Sequence, residues 1–175
     1  MTLVSAELKE GVQKLFETWS SPGAKTFGPT SAVTRLIGPQ TSEAQWPNFT
    51  VVSDEPKSVG GMDSAPPPSS LFVASIGFAE NVIFARQAAL KGVDFESYET
   101  RVDGMWDRRG IFGIEDVDPA ITQLMIETRV ETEATPQKIV ELLKLTHRRS
   151  PMTATLAKVA KIERKLIVNG VEVPI

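Results

Sequence analysis

Apolar positions along the chain recur with two periods, and the switches between them mark out its elements. Over residues 5–19, Leu8, Val12, Leu15, Phe16 and Trp19 stand at helical spacing and form one stripe on an N-terminal helix. Ser5 is placed to cap that helix, and Pro22-Gly23 closes it. Residues 31–38 and 48–54 read as strands, the second more clearly. The stretch "DEPKSVGGMDSAPPPSS" that follows is too rich in glycine and proline for regular structure and predicts a loop.

The period then changes. "SLFVASIGFAENVIFARQAALKG", residues 70–92, predicts a long helix that opens at Ser69 or Ser70 and ends at Lys91-Gly92. At 1.5 Å per residue it spans roughly 33 Å. Its first half is apolar nearly all round, which predicts burial on most sides. Glu80 interrupts this run, and its helical neighbours Ile76, Gly77, Ile83 and Phe84 include no basic residue. Two readings of Glu80 stand open: a face turned to solvent or to a partner's basic group, and a carboxylate aimed into a pocket.

Residues 94–106 read as a strand and residues 107–120 as a loop. "QLMIETRVETEA" alternates strictly, so Leu124, Ile126, Thr128, Val130 and Thr132 are expected on one buried face. "TPQKIVELLKLTHRR" predicts an amphipathic helix with Thr135 as N-cap and Pro136 in first position. "SPMTATLAKVA" repeats that start signal with Ser150 and Pro151, and "IERKLIVNGVEV" is a strand, an Asn-Gly turn and a return strand. Strands segregated from helices in this way predict an α+β fold.

Composition narrows the chemistry. The chain has 175 residues, 41% apolar and 23% charged, with a formal net charge of -3. That suits one domain over residues 1–175 and argues against a nucleic-acid partner or an anionic membrane surface. There is no cysteine, so disulfides, zinc–thiolate sites and thiol catalysis are excluded. One histidine makes a histidine-rich metal site a poor reading. No cofactor is expected. The N-terminus does not read as a signal peptide and no run matches the ~18 apolar residues of a membrane span, so the expected location is the cytoplasm.

Other candidate motifs carry less. "SVGGMDS" lacks the spacing and the Gly-Lys-Ser/Thr of a phosphate loop. His147 lies near a helix end beside Arg148 and Arg149, where a cation suits the helix dipole, and no catalytic partner is visible in the sequence. Asp54 and Glu55 are adjacent and, in a strand, point to opposite faces.

Three stretches taken together, "VVSDEPKSVGG", "APPPSSLFVASIGFAENVIFARQAALKG" and "HRRSPMTATLAK", resemble the OsmC/Ohr family. The resemblance runs from about residue 48 to residue 168. It implies an OsmC-like fold over about residues 30–168, with residues 1–24 as an N-terminal helical extension. Curved sheets would surround the long central helix in an intertwined homodimer. Members of the family include thiol peroxidases that reduce organic hydroperoxides. The family's peroxidatic cysteine falls at Ala79, in "VASIGFA". Its resolving cysteine falls at Ser150, in "SPM". The glutamate of its hydroperoxide-reductase branch falls at Ser69, in "PPSSLF". Arg35 is the candidate for the arginine that assists the thiolate.

All three positions are substituted, and alanine offers nothing to a peroxide while a serine hydroxyl cannot run through sulfenate chemistry. The expectation is therefore a cysteine-less OsmC-like protein without thiol peroxidase activity. It would bind a small apolar ligand in the former active-site pocket, around Ala79, Glu80, Ser150 and Arg35. The alternatives are an enzyme using Glu80 as acid or base with Ser150 or His147, and a structural or interaction protein.

Overall fold

The computed structural model describes residues 2–175, so Met1 of the expected 1–175 domain lies outside it. Two compact units carry the elements. One holds residues up to Ser21 together with Ser75–Ile175, and the other holds Pro22–Ala74.

The smaller unit is an antiparallel meander of β1 (Val33–Leu36), β2 (Ser42–Trp46) and β3 (Phe49–Ser53). Trp46 and Phe49 face each other across a two-residue turn. The polar strand β2, SEAQW, has no alternation that would announce it; its neighbours on both sides supply its ladder. Val33, Leu36, Ile37, Phe49, Val51 and Val52 are exposed, an apolar surface this small sheet leaves uncovered.

The loop that follows is ordered by one carboxylate. Asp54 is buried. It accepts hydrogen bonds from the backbone N–H groups of Glu55, Met62 and Ser64 and from the hydroxyls of Thr41 and Ser64. These bonds, the Ser64 hydroxyl first, hold its pKa down to about 2. Gly61 is required in the same loop, because a Cβ there would lie 1.8 Å from the Glu55 carbonyl oxygen.

The larger unit holds a four-stranded sheet in the order β4 (Ser97–Met105), β5 (Gln123–Glu131), β6 (Lys161–Val168) and β7 (Val171–Val173). β5 pairs with β6 in parallel. A parallel pair needs a crossover, and helices α4 (Pro136–Arg149) and α5 (Pro151–Leu156) supply it. The alternation of β5 places Leu124, Ile126, Thr128 and Val130 on the buried face. Asn169 and Gly170, both with positive φ, turn β6 into β7.

Helix α2 (Pro68–Lys91) buries Ile76, Glu80, Phe84, Gln87 and Ala88, one face of its length. Phe84 stacks on Tyr98 of β4 at 4.1 Å between ring centroids. Asn81 accepts a hydrogen bond of 2.8 Å from the Thr100 hydroxyl. The opposite face is open: Phe78 is 66% and Val82 48% exposed. Burial on most sides is thus not achieved within one chain. By length and composition α2 would also suffice to cross a membrane, with a mean hydropathy of 1.3 over its best 18 residues. Helix α1 (Ala6–Ser20), capped by Ser5, seats Val12 and Leu8 on the core but leaves Leu15, Phe16 and Trp19 exposed. A short helix α3 (Arg108–Ile111) interrupts the loop between β4 and β5.

Candidate functional site

The core of the larger unit has two apolar parts. Phe84, Ala88, Phe95, Val130, Ile139, Leu143 and Leu166 belong to one, and Ile76, Leu124 and Ile126 to the other. On α2, Ile76 and Phe84 lie one turn to either side of Glu80. A carboxylate therefore sits where the two apolar parts meet, with no exposure at all. Such a group needs hydrogen bonds and a counter-charge.

Four elements supply what it has. Thr153 of α5 donates its hydroxyl to Glu80 Oε1. His147 of α4 brings Nε2 to 3.5 Å from Glu80 Oε2. Arg164 of β6 brings Nη1 to 4.0 Å from the same oxygen. The Tyr98 ring of β4 lies beneath, stacked on Phe84. Neither the histidine nor the arginine is close enough to be a good hydrogen-bond partner, and Glu80 Oε2, His147 Nε2 and Arg164 Nη1 are buried with no hydrogen bond among the described residues.

The electrostatics follow from the dryness. Burial raises the Glu80 pKa, and the Thr153 hydroxyl and the Arg164 charge oppose that only in part. Burial, aided by the Arg164 charge, pushes His147 down to about 3, so its imidazole is neutral at physiological pH. Burial also lowers the Arg164 pKa, against the pull of Glu80 and Tyr98.

Ser150 is buried and ends one helix while starting the next. Its backbone N–H bonds the Thr146 carbonyl at 2.8 Å, and its hydroxyl accepts from the Thr153 N–H at 3.4 Å as the N-cap of α5. Glu80 and Ser150 thus meet through Thr153, one by its hydroxyl and the other by its backbone. Ala79 precedes Glu80 and is half-buried. Ser69 lies in the first turn of α2, half-buried, in the smaller unit. Arg35 is exposed on β1, where it donates a 2.6 Å hydrogen bond to Gln45 and lies 3.9 Å from Glu43. Arg148 is exposed, and Arg149, also exposed, donates to Gln87.

His147 and Arg164 enter this cluster on signals present in the sequence. His147 lies one turn beyond Leu143, on the buried face that Ile139 begins. Arg164 occupies the same row of β6 as Ile162, Leu166 and Val168, an arginine inside an inward-facing period-two pattern. Among the described residues no group of three or more histidines, cysteines, aspartates or glutamates is arranged to hold a metal ion.

Comparison with known proteins places the chain in a family. The family model for OsmC-like protein matches residues 61–165. Among solved structures, the chain is similar to an OsmC-like protein from Mycoplasma pneumoniae, with a TM-score of 0.70 at 14% identity, covering 81% of this chain and 97% of that one. It is similar to a putative osmotic stress induced and detoxification response protein from Psychrobacter arcticus, with a TM-score of 0.63 at 18% identity, covering 83% and 100%. It is also similar to an organic hydroperoxide resistance protein from Legionella pneumophila, with a TM-score of 0.58 at 13% identity, covering 81% and 100%. No curated protein matches the sequence. With its α+β architecture and a family match over residues 61–165, the chain belongs to the OsmC-like family, as a member without cysteine.

Proposed function

We propose that this protein does not reduce organic hydroperoxides by thiol chemistry and instead binds a small, largely apolar ligand beside Ala79, Glu80 and Ser150. One observation supports this above the others. Glu80, a fully buried carboxylate, follows the residue at which the resemblance puts the family's cysteine, and a largely buried histidine and arginine approach one of its oxygens, with none of the three atoms hydrogen-bonded among the described residues. A polar cluster without hydrogen bonds of its own costs several kcal/mol in an otherwise apolar interior. A ligand that supplies the missing partners offsets that cost.

The binding protein is a homodimer in this reading. The open face of α2, with Phe78 and Val82, in one unit and, separately, the uncovered apolar residues of β1–β3 in the other are faces that a second copy would cover. Native mass spectrometry of the purified protein tests the ligand reading. A small molecule retained by both the wild type and Glu80→Gln, with the dimer intact in both, is the expected result. Identical spectra that contain protein alone, together with no thermal shift from any small apolar compound, would sink it.

A second reading has an observation of its own. His147 Nε2 stands 3.5 Å from Glu80 Oε2, so two groups able to give and take a proton lie side by side in a largely buried site. A reaction abolished by Glu80→Gln with ligand binding retained would favour it.

A further inference from the structure

The arginines of this chain are paired in an unexpected order. Arg101, Arg109 and Arg129 are more than half exposed or close to it, and each has a carboxylate at 2.6–2.8 Å: Asp103, Asp107 and Glu127. Exposed pairs of this kind contribute little, because water already solvates both partners. Arg164, whose side chain is 17% exposed, needs a partner most, yet its buried Nη1 has no hydrogen bond among the described residues. Its nearest carboxylate is Glu80 at 4.0 Å, too far for a hydrogen bond, and burial raises the pKa of that carboxyl. His147 is neutral. The junction of α2, α4, α5 and β6 therefore holds a guanidinium whose buried Nη1 has no hydrogen bond among the described residues and whose counter-charge stands 4.0 Å away.

We infer that Arg164 anchors the carboxylate of a small, singly charged amphiphile. The inference rests on the ligand-binding reading above and names the head group. The planar guanidinium fork matches a carboxylate with two parallel hydrogen bonds. One positive charge calls for one negative charge, so a doubly charged phosphate is a poorer match. The head approaches from the edge formed by His147 and Arg164, whose side chains are 13% and 17% exposed, since Glu80 is closed off entirely. The neighbouring side chains, Ile162 along β6 and Ile126 opposite Arg164 on β5, are apolar, which fits an apolar body behind the head. Glu80 is the one rival carboxylate, so its removal strengthens binding.

Calorimetric titration of the purified full-length protein with two matched pairs, octanoate against 1-octanol and benzoate against benzyl alcohol, tests this. The carboxylate of at least one pair is expected to bind roughly tenfold or more tightly than its alcohol, equivalent to about 1.4 kcal/mol. Arg164→Met should erase that preference, and Glu80→Gln should tighten carboxylate binding several-fold. Arg164→Met should also leave the melting temperature of the ligand-free protein unchanged or higher, since a buried, unpaired charge is replaced by an apolar chain of similar length. Should that variant fail to fold, Arg164→Lys keeps the charge without the fork and should shrink the preference. Alcohols binding as well as carboxylates would overturn the head-group inference and leave the ligand reading standing. No binding by either class would overturn both. A marked loss of ligand-free stability in Arg164→Met would show Glu80 and Arg164 to be an internal ion pair and would also overturn the inference.

Discussion

Glu80, Thr153 and His147 show how a single buried charge sets the demands on its neighbours. The Thr153 hydroxyl is the one hydrogen-bond donor to Glu80 among the described residues. Thr153→Val keeps the shape and removes the donor, so it should destabilise the fold by about 1–3 kcal/mol, measurable by urea unfolding. The titrations act in opposite directions. Glu80 has a raised pKa in the folded protein, so the unfolded chain binds fewer protons over that interval and stability from this group falls as pH rises through the folded value. His147 is pushed down to about 3, so the unfolded chain takes up a proton below about 6.5 that the folded protein refuses. Stability from His147 is therefore complete above pH ~6.5 and is lost as pH falls toward 3, at no more than ~1.4 kcal/mol per pH unit. His147→Gln should flatten the pH dependence of the melting temperature between 6.5 and 4. An unchanged slope would show His147 to be free to protonate in place.

At the scale of elements, Asp54 and Ser150 carry most of the local consequences. Asp54→Ala strips five hydrogen bonds from the loop between β3 and α2. Limited proteolysis should then nick residues 55–66, where the wild type resists; equal resistance would mean that the loop is held by something else. Acid should loosen the same loop in the wild type, because the lowered Asp54 pKa places its stabilisation above pH 3.8 and removes it as pH falls toward 2. Ser150→Ala removes the α5 cap and should cost about 1 kcal/mol. Much of this level is legible in the sequence. Pro136 and Pro151 mark the starts of α4 and α5, the alternation of β5 gives its buried face correctly, and Asn169-Gly170 gives the last turn. What escapes is what depends on distant partners. β2 is polar and exists through its two neighbours. The parallel pairing of β5 with β6 cannot be read from two strands that look alike in either direction. Glu80 shows an unexplained charge, but its partners lie 67, 73 and 84 residues downstream at His147, Thr153 and Arg164, and no helical spacing reaches them.

For the whole molecule, the uncovered apolar surface and the missing sulfur make separate demands. If a second copy covers Phe78 and Val82 on α2 and Val33, Leu36 and Phe49 on β1–β3, as proposed, light scattering at micromolar concentration should give twice the 19.1 kDa of one chain. Dissociation should coincide with unfolding, because the separated chain would leave these faces in water. A folded monomer would contradict the dimer. If the resemblance assigns the cysteine positions rightly, the double change Ala79→Cys with Ser150→Cys should restore at most weak hydroperoxide reduction, since the same resemblance puts Ser69 where the family's hydroperoxide-reductase branch has a carboxylate. The central claim, that this member of the family has left thiol chemistry behind, is tested most directly on the unmodified protein. Consumption of cumene hydroperoxide in the presence of a dithiol reductant should not exceed that of a heat-killed control. Turnover above that control would contradict the account, because it would require a peroxidatic group in a chain that contains no cysteine.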